Sequence, residues 1–360
     1  MVAMPSLSDY RVTPPMTLDE LKLMIQRHLS DGLITVVGSG LSCAEGLPGM
    51  GQLAADLEAK IGPGLSASDT TLWSRIVALI KSKGLESALL EIPATQQLED
   101  EIRAVVVNSI RTAESRVVAE VFEGKRTLKL SKLITHLLKP SSGLQIVTPN
   151  YDRLVEVAAE EAGLGVDTMF AGVFAGALNE SECRSGFCRR VEFNKGKPRL
   201  IFTNRAVVSK PHGSLDWYQR AGKPVRHCSD LDSSTRLVIP PGQNKFRDGY
   251  GSPFDAHRER ANREIDKASR FLIIGYGFND DHLETHLRQR IVSGIPTMIF
   301  TQALSANALK LMHDAIHVIG IEADTSVPLG TKVHTNGSTD NFIGKNLWDI
   351  GSMIDEVFQI

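Results

Sequence analysis

The order of apolar runs and the loops that follow them limits this chain more than any other feature. Leu33-Ile34-Thr35-Val36-Val37 is a continuous β-rich run, as in a strand covered on both faces. It leads into Gly38-Ser39-Gly40-Leu41-Ser42, with a helix expected from about residue 52. Gln145-Ile146-Val147-Thr148 behaves alike, passing through Pro149-Asn150-Tyr151-Asp152 into a periodic helix over residues 153 to 162. Phe271-Leu272-Ile273-Ile274 and Thr297-Met298-Ile299-Phe300 are two more such runs, separated by a helix over residues 281 to 293. Strand, loop and helix in this order predict an α/β fold with a doubly wound parallel sheet. A helix over residues 17 to 30, with Thr17 as N-cap, precedes the first strand, and a last strand is placed at residues 316 to 319.

Between residues 65 and 139 the pattern turns helical. Leu72, Ile76, Leu79 and Ile80 share one helical face, as do Leu130, Leu133, Ile134, Leu137 and Leu138, so the segment reads as a helical insertion. Residues 165 to 250 carry short strand candidates at 200–202, 206–208 and 237–239; residues 325 to 340 read as polar loop and 347 to 358 as a closing helix. With 40 Lys and Arg against 42 Asp and Glu, the formal net charge of -2 gives no general reason to expect nucleic acid as a partner. The local basic stretch Arg184, Arg189, Arg190, Lys195, Lys197 and Arg199 is read as solvated surface. Apolar runs are far shorter than the roughly 20 residues of a membrane span. The opening Met1-Val2-Ala3-Met4-Pro5-Ser6 lacks a signal-peptide pattern, and four cysteines are too few for a disulfide framework, so a cytoplasmic protein is expected.

In an open parallel sheet, ligands bind beyond the carboxyl ends of the strands. Four loops fall there or beside such an end: residues 38–42, 148–152, Lys210-Pro211-His212-Gly213-Ser214, and Gly275-Tyr276-Gly277-Phe278-Asn279-Asp280. The first could expose backbone N–H groups to a phosphate, or be a tight turn alone. Asn150 and Asp152 also suit an ordinary turn, His212 could satisfy a backbone group, Gly275 and Gly277 could serve close packing, and Asp280 or Asp281 could cap the next helix.

Taken together, the four loops resemble the sirtuin motifs, in the family's order, over residues 33 to 302. Gly38-Ser39-Gly40-Leu41-Ser42 through Gly46-Leu47-Pro48 is similar to the glycine-rich first motif, Thr148-Pro149-Asn150-Tyr151-Asp152 to the second, His212-Gly213 to the histidine motif and Gly275-Tyr276-Gly277-Phe278 to the late nucleotide-ribose loop. The resemblance implies a Rossmann-like NAD-binding catalytic domain from residues 1–64 and 140–325, the insertion at 65–139, and a C-terminal segment 326–360 as an assembly contact. It implies Asn150, His212 and Asp152 as catalytic residues. Gly38, Ser39, Gly40, Ser42, Pro48, Thr148, Gly275, Tyr276, Gly277, Phe278 and Thr301 would bind NAD+.

Two departures narrow the family. Gly49-Met50-Gly51 stands where the deacylases carry an Asp-Phe-Arg-like segment, and only Cys228 follows His212, so the paired Cys-x-x-Cys zinc motif is missing. A zinc set of Cys183, Cys188, His227 and Cys228 is conceivable, but no metal is expected. The pattern looks more like the sirtuin-like NADases of bacterial anti-phage defence, which would release nicotinamide and ADP-ribose from NAD+. A protein deacylase, an ADP-ribosyltransferase and a non-catalytic NAD sensor are the alternatives. An NAD-draining enzyme needs restraint, so a homo-oligomer or a separate sensor or activator protein, such as an ATPase or nucleotide-binding subunit, is the expected partner.

Overall fold

The structure, a computed structural model, describes residues 15–62, 64–231, 235–242 and 251–358; the Met1–Ser6 stretch lies outside them. Its frame is a nine-stranded sheet. Across the sheet run Gly165–Asp167, Arg205–Ser209, Leu144–Val147, Leu33–Val37, Arg270–Ile274, Thr297–Phe300 and Val318–Ala323, all parallel. Leu33–Val37 sits in the middle, and the chain order reverses there, which makes its carboxyl end the topological switch point. The strands are apolar because helices cover both faces: Ile34, Val36, Ile273 and Ile299 pack on one side, Val37, Ile146, Ile274 and Phe300 on the other.

Thr17 caps Leu18–His28 in a full capping box with Glu20. Residues 67–136 form four helices, Ala67–Lys83, Leu85–Glu91, Gln96–Phe122 and Lys129–His136. Ser66 and Thr95 cap the first and third of these. On Gln96–Phe122, Leu98, Ile102, Val106, Ile110 and Val117 form a buried stripe at helical spacing that joins the main core rather than a core of its own.

Four expectations need correction. Residues 325–340 are not all loop: Gly330–Thr335 and Ser338–Ile343 form an antiparallel hairpin that extends the sheet beyond Val318–Ala323. The last parallel strand starts and ends later than residues 316–319. A short helix, Ser39–Ala44, follows the first strand at once, ahead of the expected one, which spans Met50–Lys60. Residues 165–250 also hold more strand than expected. Arg236–Val238, Gly213–Arg220, Lys223–His227, Ala175–Leu178 and Phe170–Ala171 make a five-stranded sheet, and Cys188–Asn194 pairs with Lys197–Phe202 in a separate hairpin that is largely exposed.

Candidate active site

Five adjacent parallel strands deliver their following loops to one crevice. Residues from four of those loops, together with Thr301 after Thr297–Phe300, line a cavity of about 310 Å³. Ser39, Gly40, Ser42, Pro48, Asn150, Asp152, His212, Gly275, Tyr276, Gly277 and Thr301 are among its walls. Gly38, Thr148 and Phe278 are not. Thr148 is fully buried and its hydroxyl accepts the Asn150 N–H at 3.1 Å, shaping the loop from behind. Phe278 is also fully buried, packed against Tyr276 and beneath the Arg288 guanidinium.

The glycines of the first loop hold it against the loop that follows Arg270–Ile274. The N–H groups of Gly38 and Gly40 donate to the carbonyls of Ile274 and Gly275 at 2.8 and 2.9 Å, so they do not face a phosphate. A Cβ on Gly38 would lie 2.3 Å from the Gly275 oxygen, and Gly275 itself holds φ +59° against the backbone of Gly40 and Leu41. The two loops cross main chain to main chain, which is what places both at the switch point.

Asn150, Ser42 and Asp152 form a relay. The Asn150 amide donates to the Gly38 carbonyl and to Ser42 Oγ, both at 3.0 Å. Ser42 in turn donates to Asp152 Oδ2 at 2.8 Å. With both amide hydrogens committed, the polar atom Asn150 retains for a ligand is its carbonyl oxygen. The N–H of Leu154 donates to Asp152 Oδ1, so the carboxylate also starts the helix Leu154–Glu161. Burial pushes the Asp152 carboxyl up to about 6, against the pull of nearby Lys210 and the Ser42 hydroxyl and with the help of Glu114. Lys210, fully buried, binds the Asp152 carbonyl and pairs with Glu156 at 3.1 Å, holding the loop from beneath.

His212 is carried by a turn in which the Gly213 N–H donates to Lys210 at 3.1 Å and Gly213 takes φ +92°, a conformation suited to glycine. Its Nε2 lies 2.8 Å from Asp280 Oδ2, and each side chain is 8% exposed. The sequence offers Asp280 only as a helix cap; no signal along the chain links two residues whose loops follow strands with two others between them. The Asp281 side chain lies outside the described residues. Leu47 of the first motif also lines the cavity, as do Glu86, Val106 and Ile110 of the helical region and Met50 and Leu53, which were not anticipated. Among the described lining residues there is no lysine or arginine, whereas Glu86, Asp152 and Asp280 are present. A second cavity of about 520 Å³ adjoins the first, sharing Gly40, Gly275 and Thr301 and reaching Gln302 and Trp348.

The conceivable zinc ligands do not assemble. The Cys183 thiol donates to Asp167 and that of Cys188 to the Arg190 carbonyl, and no group of three His, Cys, Asp or Glu side chains among the described residues is placed to hold a metal.

Residues 144–297 match the SIR2-like domain. The match takes in Asn150, Asp152, His212 and the 275–280 loop, and stops short of the first glycine loop and Thr301. Among solved structures, a Sir2 enzyme described for its mechanism and regulation aligns over 95% of this chain and 98% of its own, at 12% identity and TM-score 0.42. A SIR2 homologue in complex with NAD aligns over 94% and 92%, at 13% identity and TM-score 0.39. No curated protein matches. No helix of the described residues is long and apolar enough to cross a membrane. The SIR2-like stretch thus carries three of the four loops, and the first strand and its loop, from outside it, complete the cavity.

Proposed function

We propose that the chain is an NAD+ hydrolase that breaks the bond between nicotinamide and ribose, releasing nicotinamide and ADP-ribose. One observation carries this reading: the Asn150 side-chain oxygen, Asp152 and His212 converge on a cavity lined by carboxylates and, among the described residues, by no lysine or arginine. The SIR2-like match over the same residues supports it, and so does the chemistry of the substrate. Nicotinamide in NAD+ is cationic and departs neutral, leaving positive charge on the ribose. Preorganised oxygen acceptors lower the energy of that oxocarbenium-like state.

In this reading Asn150 orients the ribose and the attacking water through its oxygen, and Asp152 contacts the nicotinamide amide. Ser42 holds both side chains. His212 binds the ribose hydroxyls and accepts a proton from water, a task suited to imidazole near neutrality. The second cavity provides room for the rest of the dinucleotide. Gly40, Gly275 and Thr301, which stand between the two cavities, would lie along it.

Purified protein should release nicotinamide from NAD+ with no peptide present, and Asn150→Ala and His212→Ala should each lower kcat by roughly 10²–10³ or more. Release that requires an acetylated peptide would transfer the assignment to a deacylase; tight NAD+ binding with no release would make the protein a sensor. We place the enzyme in anti-phage defence, restrained by a second protein or by self-assembly through residues 65–139 and 326–360. Full activity in an isolated monomer would contradict that restraint.

A further inference from the structure

We propose that Asp280 is the positioning carboxylate of His212, holding one ring nitrogen so that the other serves as the base. The inference rests on the hydrolase reading above and adds a residue to it. Two loops from different strands bring the groups together: His212 follows Arg205–Ser209 and Asp280 follows Arg270–Ile274, with Leu144–Val147 and Leu33–Val37 between those strands. The Nε2-to-Oδ2 distance is 2.8 Å, both side chains are 8% exposed, and both line the cavity.

Asp280 is itself held in place. Its N–H donates to Glu284 Oε1 at 2.7 Å, and its carbonyl accepts from the N–H groups of Leu283 and Glu284, so the first turn of the following helix fixes its main chain. The loop before it is tied down by Ser305, which donates to the Gly277 carbonyl, and by Asn307, which donates to that of Phe278.

An ionised carboxylate can only accept. Beside Nε2 it therefore selects the tautomer with the proton on Nε2 and the lone pair on Nδ1. In the reaction, water oxygen bonds to the anomeric carbon as the carbon–nitrogen bond to nicotinamide breaks, and the electron pair of that bond leaves with neutral nicotinamide. His212 takes the water's proton on its free nitrogen, the imidazolium rests beside the Asp280 carboxylate, and the proton then passes to solvent. Aspartate in a serine-protease triad orients histidine by the same logic, on an unrelated fold.

Two readouts on the full chain test the assignment, with Asp280→Asn and Asp280→Ser as variants. Nitrogen NMR of His212 above neutral pH should show a protonated Nε2 and an unprotonated Nδ1 in the parent protein, and loss of that single tautomer in both variants. Nicotinamide release should show kcat reduced by roughly 10²–10⁴ with KM for NAD+ changed by less than about threefold. An unchanged tautomer, or an unchanged kcat in folded variants, overturns the proposal. A parent protein that releases no nicotinamide defeats the hydrolase reading alone, because the NMR comparison still decides whether Asp280 orients His212. If Asp280→Asn fails to fold, Asp280→Ser carries both comparisons.

Discussion

Asp152 responds to its surroundings in a way that pH can report. Its folded carboxyl titrates near 6 against an ordinary value of 3.8, because burial penalises the charge more than Lys210 and Ser42 relieve it. Between those values the native state binds more protons than the unfolded chain. Stability therefore falls as pH rises through that window and levels off above it, at a cost on the order of 3 kcal/mol. Asp152→Asn removes the titration. Its melting temperature should exceed that of the parent protein at about pH 8 and converge with it near pH 4; parallel melting curves across that range would contradict the assignment. Asn150, Asp152 and His212 were legible in the sequence because each sits directly after an apolar run or beside one. The contact of His212 with Asp280 was not, since it depends on the order of strands in the sheet, which brings together loops with two strands between them. Nor was it legible whether the first loop exposes its N–H groups: those of Gly38 and Gly40 find their acceptors in Ile274 and Gly275, more than two hundred residues away.

Crossing loops and hairpins set the limits at the level of elements. Gly38→Ala should destabilise the protein by roughly 1–3 kcal/mol, as a Cβ there meets the Gly275 carbonyl and the two loops must part. A chemical melt would measure it, and a loss below about 0.5 kcal/mol would show that the crossing is looser than described. Glu114, fully buried on Gln96–Phe122, grips the Arg153 guanidinium at 2.5 Å beside the Asn150 loop. Glu114→Ala should cost about 3 kcal/mol, the low end for a broken buried ion pair, because Arg153 keeps 23% exposure. Parallel strands were easy to see because they are apolar throughout. The hairpins were missed because their faces alternate weakly, although Asn336-Gly337 between Gly330–Thr335 and Ser338–Ile343 is a strong two-residue turn signal. Lys195-Gly196 and Ala221-Gly222 join two more hairpins, each with both residues at positive φ, and non-glycine residues there hide the signal from a reading by residue type.

For the molecule as a whole, the helical region matters as a wall of the site. Val106 and Ile110 continue the buried stripe of Gln96–Phe122 into the cavity, so the helices that complete the core also shape the space above Asn150. Periodicity identified these helices from their apolar faces, but no local pattern tells which turn of a long helix ends against a ligand space. The proposed hydrolysis depends on Asn150 and His212 acting on one substrate in one cavity. Nicotinamide release from NAD+ by the parent protein, Asn150→Ala and His212→Ala, measured beside NAD+ affinity, tests this most directly. Turnover by the parent protein, lost in both variants while NAD+ is still bound, is the predicted result. Turnover that persists in either variant would contradict it.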